Sequence, residues 1–121
     1  MNNHELQALR KLLMLDVSEA AEFVGNVSTR AWQYWESGRN KVPLDVEKAI
    51  YHLIEKRRLL IQALEPSEEY ITANKAYSLP YYHCSELFFS DNPQKNKADW
   101  RVYQSAATYL LNKYKKIVKL T

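Results

Sequence analysis

Residues 25–41 read GNVSTRAWQYWESGRNK, and the fold turns on how this stretch is parsed. The pattern is a turn, a short helix and a glycine stop. Ser28 is a good N-cap, because its hydroxyl can accept from a free backbone N–H of the first helical turn. Trp32 and Trp35 stand three residues apart and share a helical face with Ser28 and Ala31. Thr29, Arg30, Gln33 and Tyr34 fall mainly on other faces. Gly38 supplies the permissive backbone that ends a helix. The parse predicts a helix of about two turns, apolar inside and hydrogen-bonding outside.

That outside carries particular chemistry. Arginine bonds two acceptors on a guanine edge, and glutamine does the same on adenine. Threonine and tyrosine donate to phosphate or base, and a threonine methyl can touch a thymine methyl. Arg39, Asn40 and Lys41 follow the helix, in position to hold phosphates. A solvated amphipathic helix accounts for the same residues, so the preceding segment has to separate the two readings.

Leu6, Leu9, Leu12 and Leu13 recur at helical spacing over residues 4–14, with Asn2 or Asn3 as candidate caps. Asp16 and Glu19 have capping-box spacing and predict a second helix. It runs through Ala20, Ala21, Phe23 and Val24 to Gly25, and the two alanines let another helix come close. Two short helices, a glycine-containing turn and a third capped helix make a helix-turn-helix. That context favours a reading helix over a merely solvated one.

The stretch Leu15–Gly38 resembles the repressor-type helix-turn-helix of the phage lambda repressor and its relatives. In that pattern the N-cap precedes two core apolar residues, a Glu and a Gly at fixed steps, which Ser28, Trp32, Trp35, Glu36 and Gly38 match. The departure is one extra residue in the turn, since Asn26 and Val27 stand where one is usual. The resemblance implies that Glu36 pairs with an arginine on the first helix, and Arg10 fits that position. A second resemblance spans more of the chain. The runs ELQALRKLLMLDVSEAAEFVG and TRAWQYWESGRNKVP, with Asp91-Asn92-Pro93 and the WRxxQSxA pattern at Trp100–Ala106, are similar to the anti-CRISPR-associated regulators. They are similar also to a group of small enterobacterial helix-turn-helix proteins of unassigned function. The former resemblance implies a phage or mobile-element protein that represses the operon encoding itself and an anti-CRISPR.

Composition sets the outer bounds. A chain of 121 residues buries one modest core, or a small core plus an appendage. Two glycines and four prolines argue against a loop-rich or all-β design. The net charge of +3 resides entirely in residues 66–121, because residues 1–65 are neutral. Charge alone does not suggest nucleic acid; the local placement of cations does. Cys84, the one cysteine, can form neither an internal disulfide nor a multi-cysteine zinc site. His4, His52 and His83 lack ligand spacing, so no metal is expected. No signal core or membrane-length apolar run is present, and a cytoplasmic protein without membrane association is expected. There is no phosphate loop, no placed carboxylate pair and no nucleophile–base pair. His83 and Cys84, adjacent on an extended segment, point to opposite faces. No enzyme and no cofactor are expected.

Pro43 favours the start of a long helix to Leu64, with Val46, Ile50, Leu53, Ile54, Leu60, Ile61 and Leu64 as its apolar stripe. Lys56-Arg57-Arg58 can be read as a phosphate contact or, more simply, as a solvated turn. Pro66 breaks that helix, and the composition changes: 10 of the 15 aromatics lie between Tyr70 and Tyr114. Residues 75–83 read as one lone strand and residues 85–90 as a short helix. Asn96 and Asp99 cap a last helix bearing Trp100, Tyr103, Ala107, Leu110 and Tyr114. This aromatic stripe reads as core or as a self-association surface. A lone strand has unpaired edges, which pairing with a second copy would resolve.

The expected fold is therefore mainly α: a lambda-repressor-like helix-turn-helix domain at 1–65, and a dimerisation domain at 66–121 with one short β-strand and helices. The expected function is transcriptional repression as a homodimer on an inverted repeat of double-stranded DNA, with Thr29, Arg30, Gln33, Tyr34, Arg39, Asn40 and Lys41 at the DNA. Arg10, Trp32, Trp35 and Glu36 are expected to be structural, and Tyr77, Tyr81, Trp100 and Tyr103 to meet the second copy. The alternatives are translational control through an RNA stem-loop in the same transcript, and an antitoxin-like regulator that binds a protein partner.

Overall fold

A computed structural model describes residues 1–121. The chain is mainly helical. It begins with α1 (Asn3–Leu12), α2 (Val17–Ala20) running into a π turn (Ala21–Gly25), α3 (Thr29–Glu36) and α4 (Leu44–Leu64). Side chains fix the starts of the first three helices. Asn2 with Glu5 and Asp16 with Glu19 form reciprocal capping boxes, and Ser28 Oγ accepts from the Ala31 N–H at 3.2 Å.

The extra residue of the turn is absorbed by the π turn. The Val27 N–H donates to Ala21 O at 2.9 Å, and Asn26, not Gly25, takes the left-handed backbone with φ +51°. Gly25 serves a different need. A Cβ there would stand 3.1 Å from Trp32 Cε3 and 3.1 Å from Trp35 Cζ3, so glycine lets the turn lie on the two indoles.

The second half holds α5 (Glu68–Ala73), β1 (Tyr77–Leu79), α6 (Ser85–Asp91), α7 (Lys97–Lys113) and β2 (Val118–Leu120). α7 starts at the expected Asn96–Asp99 capping box. The expectation of a lone strand is corrected: β1 pairs in parallel with β2 of the same chain, Tyr77 opposite Val118 and Leu79 opposite Leu120. One edge of β1 is thus occupied from within the chain, and β1 does not need a second copy to gain a partner strand. Neither α5 nor β2 was anticipated.

The largest apolar cluster joins Leu6, Leu13, Leu15, Trp32, Trp35, Val46 and Ile50 to Ala98 and Val102 of α7. The core therefore runs past the expected boundary at residue 65, with α7 packed along α4. Phe88, Trp100, Tyr103 and Ala107 form a second cluster, and Leu79, Leu110 and Val118 a third beside the sheet. Trp100 and Tyr103, expected at a dimer surface, are buried within the single chain. Their polar atoms are used there: Trp100 Nε1 donates to Tyr82 O at 2.7 Å, and the Tyr103 hydroxyl donates to Pro80 O at 2.6 Å. Burial pushes the Tyr103 hydroxyl up to about 12. Tyr77 and Tyr81 are half-buried.

The Lys56–Arg58 cluster is held by the protein rather than left free for phosphate. Lys56 pairs with Asp99 at 3.3 Å, Arg57 Nε donates to Ser105 Oγ at 2.8 Å, and Arg58 pairs with Glu55. The WRxxQSxA pattern docks α7 on α1 and α2. Arg101 Nε donates to the buried Glu19 carboxylate at 2.9 Å, and Ser105 Oγ donates to Leu12 O, at the end of α1, at 2.6 Å. Arg101→Ala leaves the largely buried Glu19 carboxylate without its charge partner. A loss of roughly 1–3 kcal/mol in unfolding free energy is expected by urea denaturation. An unchanged midpoint would show that this docking pair contributes nothing.

Candidate nucleic-acid interface

The surface of α3 is set by what lies beneath it. Arg10 of α1 grips Glu36 through two donors, Nε to Oε2 at 2.6 Å and Nη2 to Oε1 at 3.0 Å. The Trp32 indole N–H donates to the same carboxylate, and Arg10 Nη1 donates to Leu15 O at 3.0 Å. Both charged side chains are about nine-tenths buried, with exposures of 10% and 8%. Burial opposes ionisation of Glu36. The hydrogen bonds from Arg10 and Trp32 and the Arg10 charge outweigh it, and hold the carboxyl below the usual glutamate range. Trp32 is wholly buried and meets Trp35 edge-on, with ring centroids 5.5 Å apart. The inner face of α3 is thereby fixed in rotation against α1.

That rotation points Thr29, Arg30 and Gln33 outward; all three are exposed, and Tyr34 is half-buried. Gly38 ends the helix with φ +83°, its would-be Cβ facing the Asn3 side chain at 3.2 Å. The chain then brings exposed Arg39, Asn40 and Lys41 past the end of α3. Arg39 comes back onto the helix, its guanidinium carbon 4.3 Å from the Tyr34 ring centroid. The seven expected contact residues therefore share one region of the surface, and the four expected structural residues lie behind it.

Electrostatics single out this region. Six arginines occur in the chain. Arg10, Arg58 and Arg101 pair with carboxylates, and Arg57 bonds a serine hydroxyl. The side chains of Arg30 and Arg39 make no hydrogen bond or ion pair within the protein. α3 is also the one α-helix with no acid in its first turn, where every other carries Asp or Glu. It carries Arg30 there instead, a cation against the positive helix end. That choice works against the helix alone and suits an anion laid across it.

No group of His, Cys, Asp and Glu is arranged to hold a metal, and no helix is long and apolar enough to cross a membrane. The expectations missed Glu19, Arg101, Gln104 and Ser105 as docking residues. The signal was present in the WRxxQSxA run, but its partners lie 82 and 93 residues away.

Comparison with known proteins places these features in a family. The model of a family described as Aca2/YdiL-like matches residues 1–117. The chain is 47% identical over 107 residues to an Aca2 repressor of Pectobacterium phage ZF40, covering 88% of this chain and 90% of the relative. It is 28% identical over 112 residues to the uncharacterized protein YdiL of Escherichia coli (strain K12), covering 91% and 92%.

The buried pair has a pH signature. A carboxyl held below its ordinary value of 4.5 contributes stability above that pH, and loses it as pH falls through the lower folded value. Glu36→Gln is expected to be less stable than the wild type by roughly 3–5 kcal/mol at pH 7. The gap should narrow on acidification, because the protonated glutamate then resembles glutamine. Paired urea melts at neutral and acidic pH test this; a gap independent of pH would refute it.

Proposed function

This chain belongs to the Aca2/YdiL-like family, and from that membership and the free arginines on α3 we propose that it is a sequence-specific DNA-binding transcriptional repressor. The observation that carries the reading is the pair Arg30 and Arg39, exposed beside a buried scaffold and unmatched by any carboxylate. α3 enters the major groove. Arg30 and Gln33 meet base edges near its N-terminal end, as reading helices of this motif do. Thr29 meets backbone or base, Arg39, Asn40 and Lys41 hold phosphates, and the Tyr34 ring stands against Arg30 and Arg39. The regulated operon is the protein's own, shared with an anti-CRISPR.

An eight-residue helix reads only a few base pairs, too few to mark one site among the ~10⁶ or more that a genome offers. The protein therefore acts as a C2 homodimer on an inverted repeat, its two α3 helices about 34 Å apart. The dimer contact is assigned to the second half, where Ile71, Leu87 and Tyr109 are exposed and Tyr77 and Tyr81 are half-buried. Sedimentation of the full-length chain at micromolar concentration tests this. A monomer would refute it.

Titration against the duplex lying upstream of the gene, the transcript leader RNA and the product of the neighbouring gene separates DNA repression from RNA-stem-loop and antitoxin-like roles. Preference for the duplex is expected. Arg30→Ala should lose roughly 1–3 kcal/mol of specific binding with its thermal melt unchanged. Unaltered duplex affinity would remove Arg30 from the reading set. Neutralising Arg39 or Lys41 should lower affinity for all duplexes and flatten the slope of log K against log salt by about one. A changed base preference at constant slope would reverse the two roles.

A further inference from the structure

Tyr34 is where two unpaired cations meet. The guanidinium carbon of Arg39 lies 4.3 Å from its ring centroid and that of Arg30 5.8 Å. Arg30 reaches the ring from one turn earlier on α3, in the i, i+4 relation. Arg39 reaches it because the helix ends in a backbone reversal at Gly38. That reversal is tied to Tyr34 itself: the Asn40 N–H donates to Tyr34 O at 3.0 Å, and Ser37 Oγ donates to the same carbonyl at 3.2 Å. Two like charges brought this close repel, and no carboxylate sits between them to relieve it. The negative face of the aromatic ring is the one group there that does. The Tyr34 hydroxyl makes no hydrogen bond with any atom inside the chain that would explain the tyrosine instead.

We infer that Tyr34 is a positioning residue, whose ring holds the guanidiniums of Arg30 and Arg39 together on the outer face of α3 before any ligand arrives. The inference rests on the proposed reading of α3 as the DNA-reading helix and adds a division of labour to it. Arg30 is held for a base edge and Arg39 for a phosphate, and the ring sets the spacing between them. An exposed arginine gives up rotamer freedom when it binds, and a guanidinium already stacked has less to give up. The hydroxyl is dispensable in this role, which separates it from a direct tyrosine–phosphate contact.

Two measurements on the full-length chain test it. In the absence of DNA, the side-chain δ protons of Arg39 should be shifted upfield by the Tyr34 ring current in NMR spectra. The shift should survive in Tyr34→Phe and vanish in Tyr34→Leu. With the duplex lying upstream of the gene as probe, Tyr34→Phe should bind within about twofold of the wild type and Tyr34→Leu about five- to tenfold more weakly. Arg39→Ala should then weaken binding less in the Tyr34→Leu background than alone, because its stacked state is already lost. An Arg39 shift unchanged in Tyr34→Leu overturns the inference, and so does a Tyr34→Phe variant as weak as Tyr34→Leu. A wild type with no affinity for the duplex refutes the proposed function instead, and the NMR shift still decides whether the stack exists.

Discussion

The carboxylate of Glu36 is the point on which the rest of the first half depends. It gathers two donors from Arg10 and one from Trp32, and Arg10 spends a further donor on the carbonyl of Leu15. One ion pair therefore ties together α1, the turn before α2, and the middle and C-terminal end of α3. Burying two charges is costly, and an apolar pair of the same volume often gives equal or greater stability. What an apolar pair lacks is direction. The fork of a guanidinium on a carboxylate fixes the angle of both partners. In a helix of two turns, with only Trp32 and Trp35 buried, that angular constraint decides which residues face outward.

A second set of polar contacts joins that scaffold to the rest of the chain. Glu19 serves twice: it completes the capping box of α2 and receives Arg101 of α7. Ser105 accepts from Arg57 on α4 and donates to the last turn of α1, so three helices meet at one hydroxyl. Ala98 and Val102 lie alongside in the same apolar cluster as Trp32. The small side chains of α7, Ala98, Ala106 and Ala107, are all buried and leave room for close approach. α7 thus contacts α2 directly and shares an apolar cluster with the indoles of α3.

The parts legible in the sequence were those with local causes. Asn2–Glu5, Asp16–Glu19 and Asn96–Asp99 place an acceptor and a reciprocal acid three residues apart, and each begins a helix where expected. Ser28 and Gly38 bracket α3 for similarly local reasons. Arg10–Glu36 came from a family pattern, not from spacing alone. The failures were non-local. β2 is three residues long and finds its partner 41 positions earlier, and a run of Val-Lys-Leu has no period to announce it. α5 is one short turn-and-a-half helix without a side-chain cap bond. Trp100 and Tyr103 looked like surplus aromatics because the carbonyls that accept from them, at Tyr82 and Pro80, belong to an irregular loop. The partners of Lys56 and Arg57 were not legible because Asp99 and Ser105 lie 43 and 48 residues further on, while Arg58, paired with Glu55 one turn away, is exposed as the solvated-turn reading has it.

The same contrast explains why bulk charge misleads here. The excess of +3 belongs to the second half, while the half that carries α3 is neutral. A uniform reading of charge would therefore look for an anion's partner among the lysines near the C-terminus. Pairing changes that. In the neutral half most of the acids have partners within the chain: Glu5, Asp16 and Glu19 at helix starts, Glu36 on Arg10, Glu47 on the N-terminal amine, Glu55 on Arg58 and Glu65 on Lys113. None forms an ion pair with Arg30, Arg39 or Lys41, and at physiological salt a charge is felt over only about 8 Å. The first half, neutral overall, thus presents unpaired cations on one face, because most of its carboxylates are held elsewhere by the fold. The free cations are those that the capping boxes and the buried pair leave unmatched, so the electrostatics of the surface follow from the same contacts that set its shape.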